Sequence, residues 1–355
     1  MTYRKATIIY NPMSGRKGKR TEKAKEMVRL LETRGIQAEA CATTAPHDAT
    51  RLAREAIANG ANLIISYGGD GTLNEVIQPM VGTDVALAVW AGGTANVVAK
   101  DLHLPKNSER LADVIAAGKT RRIALGCASR SQESGVWSRE SGVRCPASDA
   151  FDNEPGVQKV ESDSAIDQQS DLRQPDISNN GLQTPDSKLQ TLKRYFFMFA
   201  GIGLDASISR GVNAKLKRKT GEFAFWVSGI KHLFAWDAPV FDVQVDGQKY
   251  QSAFTLVGKG KGYGGGIKMA KNAKLEQPEF ELFILPRHKR NIVYLIDLLK
   301  GFLGKPERSS ATILCAKRIK VNSDKEIWVE LDGELAGTLP MTFEAVPDAL
   351  SVIVP

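Results

Sequence analysis

The first 120 residues alternate between short apolar runs and longer stretches whose apolar positions recur every three or four residues. "ATIIYNP" reads as a buried strand that runs into a turn, and "KRTEKAKEMVRLLETRG" as an amphipathic helix stopped by Gly35. "IQAEACATT" predicts a second strand, "HDATRLAREAIANG" a second helix stopped by Gly60, and "ANLIISYGG" a third strand. "TLNEVIQPMV" opens another helix, and "VALAVWAGGT" is a fourth strand that again meets glycines. Strands alternating with helices predict an α/β fold with a parallel, doubly wound sheet. Such sheets take their ligands beyond the carboxyl ends of the strands, the edge where the Asn11, Thr43, Gly68 and Gly92 segments fall.

From residue 127 to about 190 the texture changes. Ser, Asp, Gln and Pro dominate and the apolar period disappears, so this segment is expected to be a disordered insertion. It interrupts what reads as a hairpin between "RRIALGCA" and "RYFFMFAGIG". Beyond it come short strands: "FDVQVDG", "QKYQSAFTLVG", "FELFILP", "RIKVNS", "EIWVELDGE" and "LSVIVP". Helix candidates lie at 221–236 and 288–302. The expected organisation is therefore an α/β domain over 1–121 and a β-rich, sandwich-like domain over 122–339 carrying the insertion. The tail, 340–355, is expected to pack back on the first domain.

Composition changes this picture in one respect. Of 355 residues 42% are apolar and 25% charged, ordinary for a soluble globular protein, and the net charge is +8. The insertion holds six Lys/Arg against eleven Asp/Glu, a balance of −5, which leaves +13 on the rest. Such a body favours anionic partners. The four cysteines and four histidines are scattered without metal spacing, so free thiols and no metal site are expected. No apolar run reaches the roughly 18 residues of a membrane span and the start does not read as a signal peptide, which points to the cytoplasm. The basic residues form no recognised nucleic-acid module, and no nucleic-acid partner is expected.

The candidate chemistry sits in "ISYGGDGTLNEVIQ". Glycines after a strand let the backbone approach a ligand, and their N–H groups can face phosphate oxygens where a helix starts. Neither the P-loop nor the Rossmann fingerprint is present, because "NPMSGRKGKR" lacks the Gly-Lys-Ser/Thr order and no Gly-x-Gly-x-x-Gly follows the first strand. Asp70 on its own reads equally as a helix N-cap. With "YNPMSG" and "AGGTAN", three small-residue turns converge on one sheet edge, with the hydroxyls of Ser14, Thr72 and Thr94 available.

Together with "AGIGLDA", "GYGGGIKMAKNA" and "ELDGE", these motifs resemble the diacylglycerol kinase catalytic domain family, which also contains sphingosine and ceramide kinases and bacterial relatives. The resemblance covers nearly the whole chain apart from the insertion. It implies an ATP-dependent lipid kinase that uses Mg2+. Asn11, Pro12, Ser14, Gly15 and Thr43 would contact the nucleotide, as would the turn Gly68, Gly69, Asp70, Gly71, Thr72, Leu73 and Asn74, and Thr94. Asp70 would orient magnesium and phosphates, and Asp332 and Glu334 would supply the proton acceptor for the lipid hydroxyl. Read without the resemblance, "LDGE" is a hairpin turn.

One stretch departs from the family. Its triple glycine is usually followed by a proline and then an Asp-Gly pair whose aspartate binds a structural magnesium. Here Lys271 and Gln277-Pro278 stand instead, glutamine is a poor magnesium ligand, and that metal site is not expected. Glu276 would face away if the stretch is a strand. A lipid substrate would require reversible docking on an anionic membrane surface. Lys215, Lys217, Arg218 and Lys219 ahead of Phe223, Phe225 and Trp226 suit that task. "PRHKRNIVYLIDLLKGFLGKPER" offers a second basic-apolar stretch, for which packing on the β domain is the simpler expectation. A kinase of a soluble hydroxyl substrate such as NAD, a catalytically weak regulator, and a homodimer all stay open.

Overall fold

Four of the apolar runs become the strands of a parallel sheet. In the structure, a computed structural model, residues 3–13, 19–130, 193–204, 238–261 and 269–355 are described. Strands β1 (Lys5–Tyr10), β2 (Gln37–Ala42), β3 (Leu63–Gly68) and β4 (Ala86–Ala91) lie in the order β2-β1-β3-β4. Register aligns their ends: Tyr10 sits opposite Ala42 and Tyr67, and Tyr67 opposite Trp90. The turns that follow β1, β2, β3 and β4 therefore share one edge. Helices α1 (Lys19–Glu32), α2 (Asp48–Ala58), α3 (Asp70–Ile77), α4 (Val97–Asp101) and α5 (Ser108–Ala117) complete this part. Asn107 caps α5 through its side chain, and Gly118, at φ 68°, ends it.

The second half builds two antiparallel layers. Strands β5 (Thr120–Ser129), β6 (Lys193–Phe196), β8 (Phe241–Val245), β9 (Gln248–Ser252), β13 (Arg318–Asn322) and β16 (Met341–Ile353) extend the first sheet to ten strands. Strands β7 (Phe199–Ile202), β10 (Phe254–Gly258), β11 (Phe280–Leu285), β12 (Thr312–Ala316), β14 (Trp328–Leu331) and β15 (Glu334–Thr338) form a six-stranded sheet. Phe196, Val243, Val257, Phe280, Val321, Val329 and Phe343 fill the core they share, where the Phe196 and Phe280 rings stack at 5.9 Å. Helix α6 (Asn291–Phe302) follows β11. The fold is thus an α/β domain followed by a β sandwich-like one.

The long strand β16 joins the parallel and antiparallel parts of the ten-stranded sheet. Its end pairs in parallel with β4 at Ser351 and Val352, its start antiparallel with β13, and β5 lies along both parts.

Four readings change. The insertion was expected from residue 127, but Cys127, Ala128 and Ser129 continue β5 and pair with Tyr195, Arg194 and Lys193 of β6; residues 131–190 lie outside the described residues. "QKYQSAFTLVG" is two strands in different sheets, separated at Ala253. "RYFFMFAGIG" likewise breaks at Phe197-Met198 and changes sheet. An apolar run two faces deep carries no sign of such a switch. Glu276 stands in a turn and not on a strand, where it pairs with Arg121 at 2.6 Å.

Candidate active site

The glycines of the third and fourth turns are there because the two turns touch. A methyl group on Gly93 would stand 2.5 Å from the Gly69 Cα, closer than carbon atoms approach. Backbone holds the contact, the Gly92 N–H donating to the Gly68 carbonyl at 2.9 Å. Asn96, at φ 47°, closes the fourth turn with its own side chain: Oδ1 accepts from the Gly93 N–H and Nδ2 donates to the Gly93 carbonyl, both at 2.7 Å.

Asp70 opens α3 and bridges these turns. Its Oδ1 accepts from the Val97 N–H, at the start of α4, at 3.0 Å. Burial pushes its carboxyl up, against the Val97 and Asn96 N–H groups that favour the charge. Gly69, the residue before α3, has no side chain to cap the helix, so the α3 N-terminus keeps its anion-attracting face open. Beneath the fourth turn lies Arg20, buried in the first turn of α1, with its guanidinium 4.9 Å above the Tyr67 ring. A methyl on Gly92 would come within 2.5 Å of that guanidinium. Burial draws the Arg20 pKa down. Tyr67 in turn stacks on Trp90 at 3.7 Å.

Asp332 and Glu334 reach this edge from the other domain, on the turn between β14 and β15. Leu331 pairs with Glu334, so Asp332 and Gly333 form a two-residue loop with φ 48° and 91°, the left-handed pair such tight hairpins need. The hairpin reading of "LDGE" is thus correct, and the carboxylate is employed as well. Asp332 Oδ1 accepts from the N–H groups of Met198 (2.8 Å) and Phe199 (3.0 Å). Its Oδ2 accepts from the Phe197 N–H (2.6 Å) and the Asn74 amide (3.0 Å). The break between β6 and β7 is therefore pinned by one carboxylate. Burial pushes that carboxyl up while the four donors stabilise its charge.

Glu334 points the other way. Its Oε2 is bonded to Arg194 of β6, and Oε1 lies against the start of α3, 2.7 Å from where a methyl on Gly71 would stand. Asn74, 1% exposed, joins the two acids: its amide donates to Asp332, and its Oδ1 accepts from Arg194 at 3.3 Å. Gln78, one turn further along α3, bonds the Asn74 and Tyr195 carbonyls and accepts from the Tyr195 N–H.

The structure thus brings Gly68, Gly69, Asp70, Gly71, Glu334 and the Gly92–Asn96 turn to one place. Asn11 accepts from the Met13 N–H in the turn after β1, with Pro12 beside it, and the Thr43 N–H donates to the Tyr10 carbonyl at the same edge. Thr94 is exposed there. Thr72 turns its side chain under Gly68, and Leu73 is core. Ser14 and Gly15 lie outside the described residues, as do the Lys215–Lys219 cluster, Phe223, Phe225 and Trp226. Arg20, Gln78, Asn96 and Arg194 were not singled out from the sequence. Only Asn96 had a visible signal, as the last residue of "GGTAN".

The anion-facing helix start and close-packed glycines fit a nucleotide phosphate. Among the described residues no group of three or more His, Cys, Asp or Glu gathers; a phosphate-bound magnesium needs only one or two protein carboxylates, and Asp70 is the one at the helix start. The stretch where the family binds a structural magnesium does not fit one. There the fully buried Lys259 ammonium donates to the Lys274 carbonyl at 2.7 Å and the Leu275 carbonyl at 3.1 Å, so a cation would meet a cation.

Both halves of the chain resemble known proteins. Residues 5–128 match the diacylglycerol kinase catalytic domain, and residues 199–354 the YegS C-terminal NAD kinase beta sandwich-like domain. The chain is 26% identical over 359 residues to a diacylglycerol kinase of Bacillus subtilis (strain 168), covering 99% of this chain and 97% of that one. It is 25% identical to a diacylglycerol kinase of Staphylococcus aureus (strain MRSA252), covering 99% and 93%. A crystal structure of a diacylglycerol kinase from Bacillus anthracis str. Sterne superposes with a TM-score of 0.66 at 21% identity, covering 100% of this chain and 98% of that one, which speaks for the fold. With both halves matched, the chain carries the catalytic domain of the diacylglycerol kinase family, phosphotransferases that act on an alcohol group, joined to a YegS-type β sandwich-like domain.

Proposed function

We propose that the protein transfers the γ-phosphoryl group of ATP to a lipid hydroxyl such as that of diacylglycerol. The observation that carries this reading is the position of Glu334: a carboxylate from the sandwich domain rests on Gly71, at the anion-attracting start of α3. Phosphoryl transfer needs a held phosphate, neutralised charge and a group that takes the hydroxyl proton, all within a few ångströms. The turns at Asn11–Pro12, Thr43, Gly68–Gly71 and Thr94 are assigned to the nucleotide. Ser14 and Gly15 join them on the resemblance alone. Magnesium, when bound with the phosphates, would neutralise their charge, and Asp70 is the residue assigned to hold it.

Glu334 is the proton acceptor in this reading. It is partly exposed, and its partner Arg194 holds it in place beside Gly71. Asp332 and Asn74 are positioning residues, because their polar atoms are engaged within the protein. Family likeness supports the lipid; the likeness of residues 199–354 to an NAD kinase beta sandwich-like domain keeps a soluble acceptor as the competing reading. The division into domains 1–121 and 122–339, with β16 returning to the first, is proposed on the same footing. The enzyme would work in the cytoplasm, peripherally on membranes; among the described residues no helix is long and apolar enough to cross one. Purified protein with magnesium and labelled ATP, offered diacylglycerol in mixed micelles and, separately, NAD, tests the proposal. Label entering NAD alone overturns it.

A further inference from the structure

We propose that the outer face of α6 docks the protein on an anionic bilayer surface. The helix is a stripe on one side and an anchor on the other. Ile292, Ile296, Leu299 and Leu303 are 42%, 45%, 50% and 75% exposed. At 3.6 residues per turn these positions fall within about 60° of one another and run for about 16 Å. Tyr294, Asp297 and Gly301 point the opposite way and are buried, Gly301 against Met269 and Tyr294 accepting from the His288 N–H. Asp297 is bonded to Ser310 and to Lys300, so the helix is fixed in rotation and the apolar stripe faces outward.

Charge selects the occupant. Arg287, Lys289 and Arg290 precede the stripe, and Lys305 and Arg308 follow it, all exposed. The acids in this stretch are engaged elsewhere: Asp297 is buried and Glu307 pairs with Lys271 at 3.0 Å. An apolar strip with basic groups at both ends matches acyl chains beneath anionic headgroups. A second copy packed face to face by two-fold symmetry would set these like charges against each other. The choice of a bilayer rests on the lipid-kinase reading, since a hydroxyl whose acyl chains lie in a membrane must be met there.

The test uses the full chain without ATP, so docking is read apart from catalysis. Sedimentation with phosphatidylglycerol-containing vesicles should show binding that phosphatidylcholine vesicles do not support and that weakens steeply from low to physiological salt. The exposed-site variant Ile296→Ser/Leu299→Ser should keep the circular dichroism and melting temperature of the parent and lose at least tenfold in vesicle affinity. Lys289→Gln/Arg290→Gln should weaken binding and flatten its salt dependence. Undiminished binding by both variants overturns the proposal. So does a concentration-dependent dimer that the serine variant dissociates while vesicle binding stays unchanged, because the stripe would then belong to a second copy. Vesicle binding that follows these expectations without any lipid phosphorylation would leave the docking surface standing and sink the kinase reading instead.

Discussion

Two hairpins of this protein carry the same dipeptide and the same backbone. Asp246-Gly247 joins β8 to β9 with φ 48° and 85°, and Asp332-Gly333 joins β14 to β15 with φ 48° and 91°. Both are two-residue loops for which Asp-Gly is favoured chemistry. Asp246 is exposed to solvent, whereas Asp332 accepts four hydrogen bonds and welds β6, β7 and α3 to its turn. Turn chemistry explains why aspartate is allowed at either place. Only the surroundings explain what the carboxylate does at one of them.

The largest expected effect lies one residue past the engaged turn. Glu334→Gln should lower kcat about 10²–10⁴-fold, the range of a missing general base, with the melting temperature within a few degrees of the parent. A change confined to the KM for ATP would remove Glu334 from proton transfer. Asp70→Asn should likewise abolish turnover while the fold persists. Near-normal turnover would contradict its role.

The turn itself separates next. Asp332→Asn keeps a residue that tolerates φ 48° but sets an amide N–H₂ among four donors, and should cost about 3 kcal/mol in urea unfolding. Asp246→Asn should change stability by less than about 0.5 kcal/mol. Equal losses at the two turns would mean that the aspartates serve the hairpin alone.

Gly71→Ala sharpens the contrast by touching Glu334 without touching the turn. The added methyl would fall 2.7 Å from Oε1, the mobile end of a side chain, so the carboxylate moves and the helix does not. A loss of tenfold or more in kcat is expected, with a melting temperature near that of the parent.

The last effect concerns stability alone, at a buried cation. Burial lowers the Lys259 pKa from 10.5 to about 8. Between about pH 8 and 10.5 the unfolded chain holds a proton that the folded one releases, so this residue's burial penalty shrinks as pH rises through that window. Urea unfolding of parent and Lys259→Met, compared at pH 7.5 and 10, should show the parent gaining up to about 3 kcal/mol relative to the variant. An unchanged difference between parent and Lys259→Met at the two pH values would mean that burial does not lower the Lys259 pKa.

Periodicity and glycine placement made the α/β half legible almost element by element, because each strand and helix there is a local run with its own stop. Convergence of the turns after β1, β2, β3 and β4 followed from parallel topology alone. The β half was less legible. Its strands change sheets at Ala253 and at Phe197-Met198, and an apolar residue buried between two sheets looks the same whichever sheet it joins.

Sequence alone therefore determined the family motifs, the parallel edge and the presence of acids at positions 70, 332 and 334. Tertiary structure decided what each acid does. It enclosed Asp332 with donors from Phe197, Met198, Phe199 and Asn74, residues 133 to 258 positions away, and laid Glu334, paired with Arg194, on Gly71. It also placed the Lys259 ammonium between two carbonyls of a loop where the sequence showed only a missing aspartate. The reason is physical. Propensity and period are set by neighbours along the chain, but desolvation and hydrogen bonding at a buried group are set by whatever the fold brings within about 3 Å of it.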